Sequence, residues 1–194
     1  AFLLSDNRRI NIFLVGVGLI GSTLLNQVKA QHKELIDNFK LEINVAGIAN
    51  SKYMLFNEEG IDLGNWKKQL QEFGLPSNPN QFLQKMKDLN LSNSVFVDCT
   101  ANKDIPSLYD EILKANISIA TPNKVATSSS YARYKELRKL ATDRKIYFKY
   151  ETNVGAGLPV ISTIQNLVNS GDKIHKIEAV VSGSLSFIFN NFDG

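Results

Sequence analysis

The apolar run Ile10-Asn-Ile-Phe-Leu-Val15 leads without a break into Gly16-Val17-Gly18-Leu19-Ile20-Gly21. A short apolar run that stops at glycine suits a strand buried in a parallel sheet. The following stretch, Leu19 to Lys33, carries Leu24, Leu25 and Val28 at helical spacing. Strand, glycine turn and helix in this order make a phosphate cradle. Gly16 permits the tight turn, Gly18 lets the backbone approach a diphosphate, and Gly21 lets helix and strand pack closely. Free N–H groups and the helix dipole at the start of the helix then attract the anion.

The rest of the chain repeats the alternation. Leu41–Ala49 and Ser94–Asp98 read as strands, as do Ile117–Ala120 and Ile146–Tyr150. Between them, Asn57–Leu70, Pro79–Leu89, Pro106–Ala115 and Ser128–Arg144 read as helices, with a break at Gly74–Pro79. Alternating strands and helices with right-handed crossovers predict an α/β fold over residues 10–150. It is a doubly wound parallel sheet covered on both faces, of the Rossmann dinucleotide-binding type. After Tyr150 the style changes. A glycine-rich run is followed by a helix, a strand at Lys176–Val181 and a helical start at Ser186, the beginning of a second, α+β domain over residues 151–194. Residues 1–9 read as a linker tail.

Composition excludes several classes. The net charge is only +3 and the basic residues are scattered, so the clustered basic face of a nucleic-acid binder is missing. No apolar run approaches the ~20 residues of a membrane span, and Ala1–Asn11 does not read as a secretory signal. The single cysteine, Cys99, can build neither a disulfide framework nor a zinc site. A cytoplasmic protein acting on a small molecule is expected.

Five further motifs carry chemistry. Ala49-Asn50-Ser51-Lys52 ends the second strand, where an NAD site normally places a carboxylate for the ribose 2′-hydroxyl. An amide, a hydroxyl and a cation suit a 2′-phosphate instead, so NADP is expected in preference to NAD. Asp98-Cys99-Thr100 ends the third strand at the ligand-binding edge, where Thr100 is suited to bond the ribose or pyrophosphate region. Cys99 raises a nucleophile reading, which the absence of an obvious activating histidine weakens. In Thr121-Pro122-Asn123-Lys124 a turn presents Lys124 toward the nicotinamide end of the cofactor or a substrate carbonyl. Glu151 and the loop Asn153-Val154-Gly155-Ala156-Gly157-Leu158-Pro159 supply oxygen atoms of the kind hard cations bind, or else form an interdomain hinge. Ser182-Gly183-Ser184 lines a small polar pocket.

Taken in order, these motifs resemble homoserine dehydrogenase, from about Ile10 to the last residue. Thr121–Lys124 and Asn153–Pro159 are the most specific. Asn65-Trp66, Asp98-Cys99-Thr100 and the long insertion near residues 50–80 resemble the dehydrogenase half of bifunctional aspartokinase–homoserine dehydrogenases. Ala1–Asp6 then reads as the joint to an upstream kinase portion. The resemblance implies NADPH-dependent reduction of L-aspartate 4-semialdehyde to L-homoserine, in threonine and methionine biosynthesis, by a protein that is a homo-oligomer at full length. It places Gly16, Val17, Gly18, Leu19, Ile20, Gly21, Thr100 and Lys124 on the cofactor, with Lys124 assisting the chemistry. It places a sodium ion on Glu151 and the carbonyls of Val154, Ala156 and Leu158. Asn153, Gly155, Ser182, Gly183 and Ser184 border the substrate. The family's proton-donating segment, of the Gly-Tyr-Thr-Glu-Pro-Asp-Pro type, lies past Gly194, so these residues alone are expected to bind NADP and turn over poorly.

Two other readings compete with this one. In the first, the chain is a non-catalytic NADP-binding regulatory module whose glycine-rich loop is an interaction hinge. In the second, it is an aldehyde dehydrogenase that forms a thioester on Cys99. Activity restored by chain beyond Gly194 would exclude the first, and persistence of activity in Cys99→Ala the second.

Overall fold

The structure, a computed structural model, describes residues 8–179 and 182–191. Two compact units divide at Lys149/Tyr150.

The first unit is built from β1 (Arg8–Val15), α1 (Leu19–Phe39), β2 (Leu41–Ala49), β3 (Tyr53–Phe56), α2 (Trp66–Phe73), β4 (Leu75–Pro76), α3 (Pro79–Leu89), β5 (Ser94–Asp98), α4 (Tyr109–Lys114), β6 (Ser118–Ala120), α5 (Val125–Ser128), α6 (Tyr131–Asp143) and β7 (Phe148–Lys149). One sheet runs β4-β3-β2-β1-β5-β6-β7. The chain leaves β1 toward β2 on one side and later returns to β5 on the other, so the C-terminal ends of β1 and β5 flank a topological switch point. Ligands bind at such points in open α/β sheets.

Strands β2, β1, β5, β6 and β7 are mutually parallel. The expected doubly wound parallel sheet carries an antiparallel edge, where β3 lies antiparallel to β2 and β4 antiparallel to β3. The reason is connection length. Only Asn50, Ser51 and Lys52 link β2 to β3, enough to reverse the chain, whereas a parallel crossover needs a dozen or more residues. The expected helix over Asn57–Leu70 shrinks to α2. Its first part is a turn in which Asn57 Nδ2 donates to the Gly60 carbonyl (2.7 Å) and the Gly60 N–H donates back to Asn57 (3.0 Å).

The pleat of β1 shows why both faces are covered. Ile12 and Leu14 join Leu25, Val28, Val45, Ile48, Trp66 and Leu70 in one core. Phe13 opens the opposite face, where rings step from Phe13 through Phe56, Phe82, Phe96 and Tyr109 to Phe148, centroids 4.7–6.5 Å apart. At the far end of the sheet, Asn44 Nδ2 donates to Asn11 Oδ1 and to the Glu58 carbonyl, each at 2.8 Å. These amides hold β1 and β2 where burial would otherwise orphan polar groups.

The second unit contains a 3₁₀ turn at Glu151–Asn153, α7 (Val160–Asn169) and α8 (Gly183–Asn190). The described part of the expected strand, Lys176–Ala179, has no regular structure. Its last two residues, Val180 and Val181, lie outside the described residues, as do residues 1–7 of the expected 1–9 tail, whereas Arg8 and Arg9 open β1, paired with Leu41 and Glu42 of β2.

Candidate functional site

The glycine turn separates what the fold demands from what something outside it demands. Gly16 has φ +95°, and a methyl there would come within 2.7 Å of the Cys99 carbonyl carbon and 2.8 Å of Thr100 Cγ2. A methyl on Gly21 would drive into the Gly16 carbonyl oxygen and lie 3.2 Å from Leu14 Cδ2. A methyl on Gly18 would meet nothing within 4 Å outside its own turn of helix. Gly18 is the N-cap of α1, with no side-chain cap and no acidic residue in the first turn. The N–H groups at this end keep their capacity for an anion. Leu19 next to them is 85% exposed and Ile20 56%.

Beside this turn, the C-terminal ends of β5 and β6 meet over one buried carboxylate. Asp98 has no exposed surface. Its Oδ1 accepts from the Thr100 N–H (2.8 Å) and from Thr100 Oγ1 (2.7 Å). Its Oδ2 accepts from Tyr109 OH (2.7 Å) and Asn123 Nδ2 (3.0 Å). All four neighbours are donors, so the carboxylate acts purely as an acceptor. Around it, Thr121 Oγ1 donates to the Asp98 carbonyl (2.9 Å) and accepts from the Asn123 N–H (2.8 Å). Asn123 Nδ2 also donates to the Asn102 carbonyl (2.9 Å), while its Oδ1 accepts from the Val125 N–H (3.1 Å). Burial and the Asp98 charge push the Tyr109 phenol far above its usual range, so it stays a donor.

This network narrows the role expected of Thr100. Its one hydroxyl hydrogen goes to Asp98. One lone pair of Thr100 Oγ1 accepts from the Asn102 N–H (3.1 Å), and the other faces Asn123 Nδ2 at 3.4 Å, whose two hydrogens go to Asp98 and the Asn102 carbonyl. Toward a ligand Thr100 Oγ1 is therefore an acceptor through that second lone pair, suited to a ribose hydroxyl or an amide N–H and unsuited to a phosphate oxygen. Cys99 fares worse as a nucleophile. Burial first, and the Asp98 charge second, push its thiol up to about 11. A thiolate is the reactive form, and this setting suppresses it.

The other residues singled out from sequence fall on both units. Asn50 sits at the β2–β3 hairpin, where its Oδ1 accepts from the N–H groups of Lys52 (2.8 Å) and Tyr53 (2.7 Å). Its side-chain oxygen is thus committed to the turn, leaving Ser51 and Lys52 exposed at the end of β2. The Gly16 N–H donates to the Ala49 carbonyl (2.8 Å), tying the glycine turn to that strand end. Lys124 is exposed, next to buried Asn123, and makes no ion pair among the described residues. The structure thus gathers Gly16–Gly21, Thr100, Asn123 and Lys124 along one edge of the sheet.

In the second unit, Glu151 caps α7, its two oxygens accepting from the N–H groups of Ile161 and Ser162, both at 2.9 Å. Gly155 and Ala156 both have positive φ, +71° and +52°. Ser182 Oγ accepts from the Leu185 N–H (3.2 Å) as the N-cap of α8, and Gly183 begins that helix. Asn153 closes the 3₁₀ turn, its N–H donating to the Tyr150 carbonyl (3.0 Å). The side chain of Ser184 lies outside the described residues.

Residues 16–151 match the family "Homoserine dehydrogenase, NAD binding domain", and residues 159–194 match "Homoserine dehydrogenase". The chain belongs to the homoserine dehydrogenase family. It is 45% identical over 182 residues to bifunctional aspartokinase/homoserine dehydrogenase 1 of Zea mays and 43% identical over 191 residues to the bifunctional enzyme of Haemophilus influenzae. These matches take in 93% and 98% of this chain, but only 20% and 23% of those proteins. Against the Schizosaccharomyces pombe homoserine dehydrogenase it is 35% identical and spans 50% of that protein. Among solved structures, a Candida auris protein of unknown function superposes with TM-score 0.80 at 32% identity, covering 94% of this chain and 49% of that one. A hyperthermophilic archaeal homoserine dehydrogenase in complex with NADPH superposes with TM-score 0.68 at 22% identity, over 84% of this chain and 50% of that one, a likeness of fold.

For this homoserine dehydrogenase domain, sequence reasoning missed Tyr109, Asn123 and Thr121 as a unit with Asp98. One signal was available. Strand alternation puts Asp98 on the same face as Phe96, the aromatic face of the sheet, where a carboxylate needs several donors.

Proposed function

We propose that the first unit holds NADP and that the second begins the catalytic domain of an enzyme reducing L-aspartate 4-semialdehyde to L-homoserine. The observation that carries this is the open space at Gly18 above an uncapped helix start, in a domain of the homoserine dehydrogenase family. The fold and these groups fit a dinucleotide. Backbone N–H groups of residues 18–21 would hold the diphosphate. Ser51 and Lys52 would take the 2′-phosphate, and Thr100 would accept from a ribose hydroxyl or the carboxamide. That an archaeal relative in fold has been solved with NADPH supports the preference. When bound, the nicotinamide supplies a hydride. The role of Lys124 is electrostatic, a positive charge on a rigid turn where an aldehyde oxygen gains negative charge.

In the second unit the proposed sodium site would use neutral carbonyl oxygens. The Glu151 carboxylate is occupied with α7, and the Glu151 and Leu158 carbonyls each accept a backbone N–H. The Val154 and Ala156 carbonyls take part in no backbone hydrogen bond among the described residues, which suits them as ligands.

Titrating NADPH and NADH into the purified chain tests the cofactor reading. Clear preference for NADPH supports it, and equal affinity removes the role given to Ser51 and Lys52. Assaying a form extended past Gly194 with L-homoserine and NADP tests the reaction.

A further inference from the structure

Resting on the NADP reading, we propose that Asp98 is a positioning residue that sets the nicotinamide half of the site. Its carboxylate fastens three separate pieces of chain. The loop after β5 is held through Thr100 N and Oγ1, the start of α4 through Tyr109 OH, and the turn after β6 through Asn123 Nδ2. Each piece carries or adjoins a group at the binding edge. Thr100 Oγ1 is turned so that its hydrogen points inward, one lone pair takes the Asn102 N–H (3.1 Å), and the other meets only the long Asn123 Nδ2 contact (3.4 Å), which a ligand donor can replace. Asn123, gripped by Asp98, Thr121 and the Asn102 carbonyl, fixes the turn from which Lys124 projects. Tyr109 in turn is wedged edge-on between Phe96 (6.4 Å) and Phe148 (6.0 Å), so its hydroxyl reaches Asp98 from a rigid base.

The glycine turn is fixed differently. It is held by main-chain bonds from Gly16 to Ala49 and from Cys99 to Val15, both 2.8 Å, and these do not involve the carboxylate. Disturbing Asp98 should therefore loosen the Thr100 and Lys124 side of the site and spare the diphosphate side.

The test is binding of two ligands to the full chain and to two variants, Asp98→Asn and Tyr109→Phe. NADPH reaches both halves of the site, and adenosine 2′,5′-bisphosphate only the adenine half. Misplacing the Thr100 and Lys124 groups is expected to cost NADPH about one hydrogen bond's worth of binding, about tenfold in affinity. NADPH should weaken by about that factor in both variants, while the bisphosphate stays within about twofold. Tyr109→Phe keeps the ring packing, so the comparison remains decisive even if Asp98→Asn fails to fold. Unchanged NADPH affinity in a folded variant, or an equal loss for both ligands, overturns the positioning role. A wild-type chain that binds neither ligand overturns the NADP reading itself, an outcome visible before any variant is made.

Discussion

Adding a methyl group at each of two glycines in the phosphate turn should have opposite consequences. Gly21→Ala places a carbon against the Gly16 carbonyl oxygen, far inside the ~3.5 Å contact optimum, with Gly16 C at 3.0 Å and Leu14 Cδ2 at 3.2 Å. Two of these three atoms are backbone of the tight turn, so relief requires α1 to lift from β1. Overpacking of this kind costs about 1–3 kcal/mol, with the upper end expected where backbone must move. The better helix propensity of alanine returns up to about 1 kcal/mol. A net loss of about 2 kcal/mol lowers the thermal midpoint by roughly 4–8 °C for a domain of this size. Gly18→Ala meets nothing within 4 Å and keeps a φ of −72°, so stability changes by no more than about 1 kcal/mol, the cost of alanine at an N-cap. Its methyl instead occupies the approach to the helix N-terminus, and NADPH affinity should fall by about tenfold to a hundredfold. Calorimetric melting and fluorescence titration of the two variants read both effects. If Gly18→Ala binds NADPH like the parent chain, or if both variants lose stability equally, the assignment of Gly18 to the ligand is wrong.

Three further outcomes follow from the geometry. Cys99 should alkylate slowly with iodoacetamide at neutral pH, about a hundredfold below an ordinary thiol given its shift from 9.0 to about 11, and speed up as pH rises toward 11; fast labelling at pH 7 would refute the burial argument. The sign extends to stability, because a thiol raised in the folded state contributes stability that is fully present below pH 9 and lost as pH rises through about 11. Lys52→Glu should weaken NADPH by about tenfold or more while leaving NADH nearly unchanged, since it repels only a 2′-phosphate; parallel losses in titrations of the two would remove Lys52 from the site. Glu151→Gln should destabilise α7 by about 1–2 kcal/mol, because an amide replaces one of the two oxygens that accept from Ile161 and Ser162; hydrogen exchange at those two amides reads it, and unchanged protection would refute the cap.

The parts of the fold set by local pattern were legible in the sequence. The apolar run to Val15, the glycine turn and the helix from Leu19 stand where the spacing put them, as do β2, α3 and β5. What was illegible depended on chain reversal and on partners distant in sequence. Tyr53–Phe56 is a strand because a three-residue turn folds it back on β2, and nothing in its own four residues says so. Asn57–Gly64 offered helix-like composition, but the side chain of Asn57 bonds to the backbone of Gly60, competition that short polar side chains commonly win. Lys176–Ala179 has the apolar alternation of a strand yet shows no regular structure, since a strand needs a neighbour to pair with. In the candidate site, Gly16–Gly21, Thr100 and Lys124 were each readable as motifs. The carboxylate between them was not, because its four donors come from positions 100, 109 and 123, and only the folded sheet brings them together.

That carboxylate also bears on what the sheet edge is for. A fully buried charge with no cationic partner costs stability even when hydrogen-bonded, and an apolar replacement of similar volume is often neutral or better. The strand leading to it, Ser94-Val-Phe-Val, is otherwise ordinary core, so an apolar residue at position 98 would extend the aromatic face that already contains Phe96 and Tyr109. Stability alone gives aspartate a reason only through the buried donors of Tyr109 and Asn123 that it satisfies, donors the site itself supplies. The reason has to lie in what an acceptor with four bonding directions can do and an alkyl group cannot, which is to orient the Thr100 hydroxyl inward and hold the Thr121–Asn123 turn at a fixed distance from β5. Both groups thus arranged lie at the edge of the sheet, which fits the positioning role proposed for Asp98.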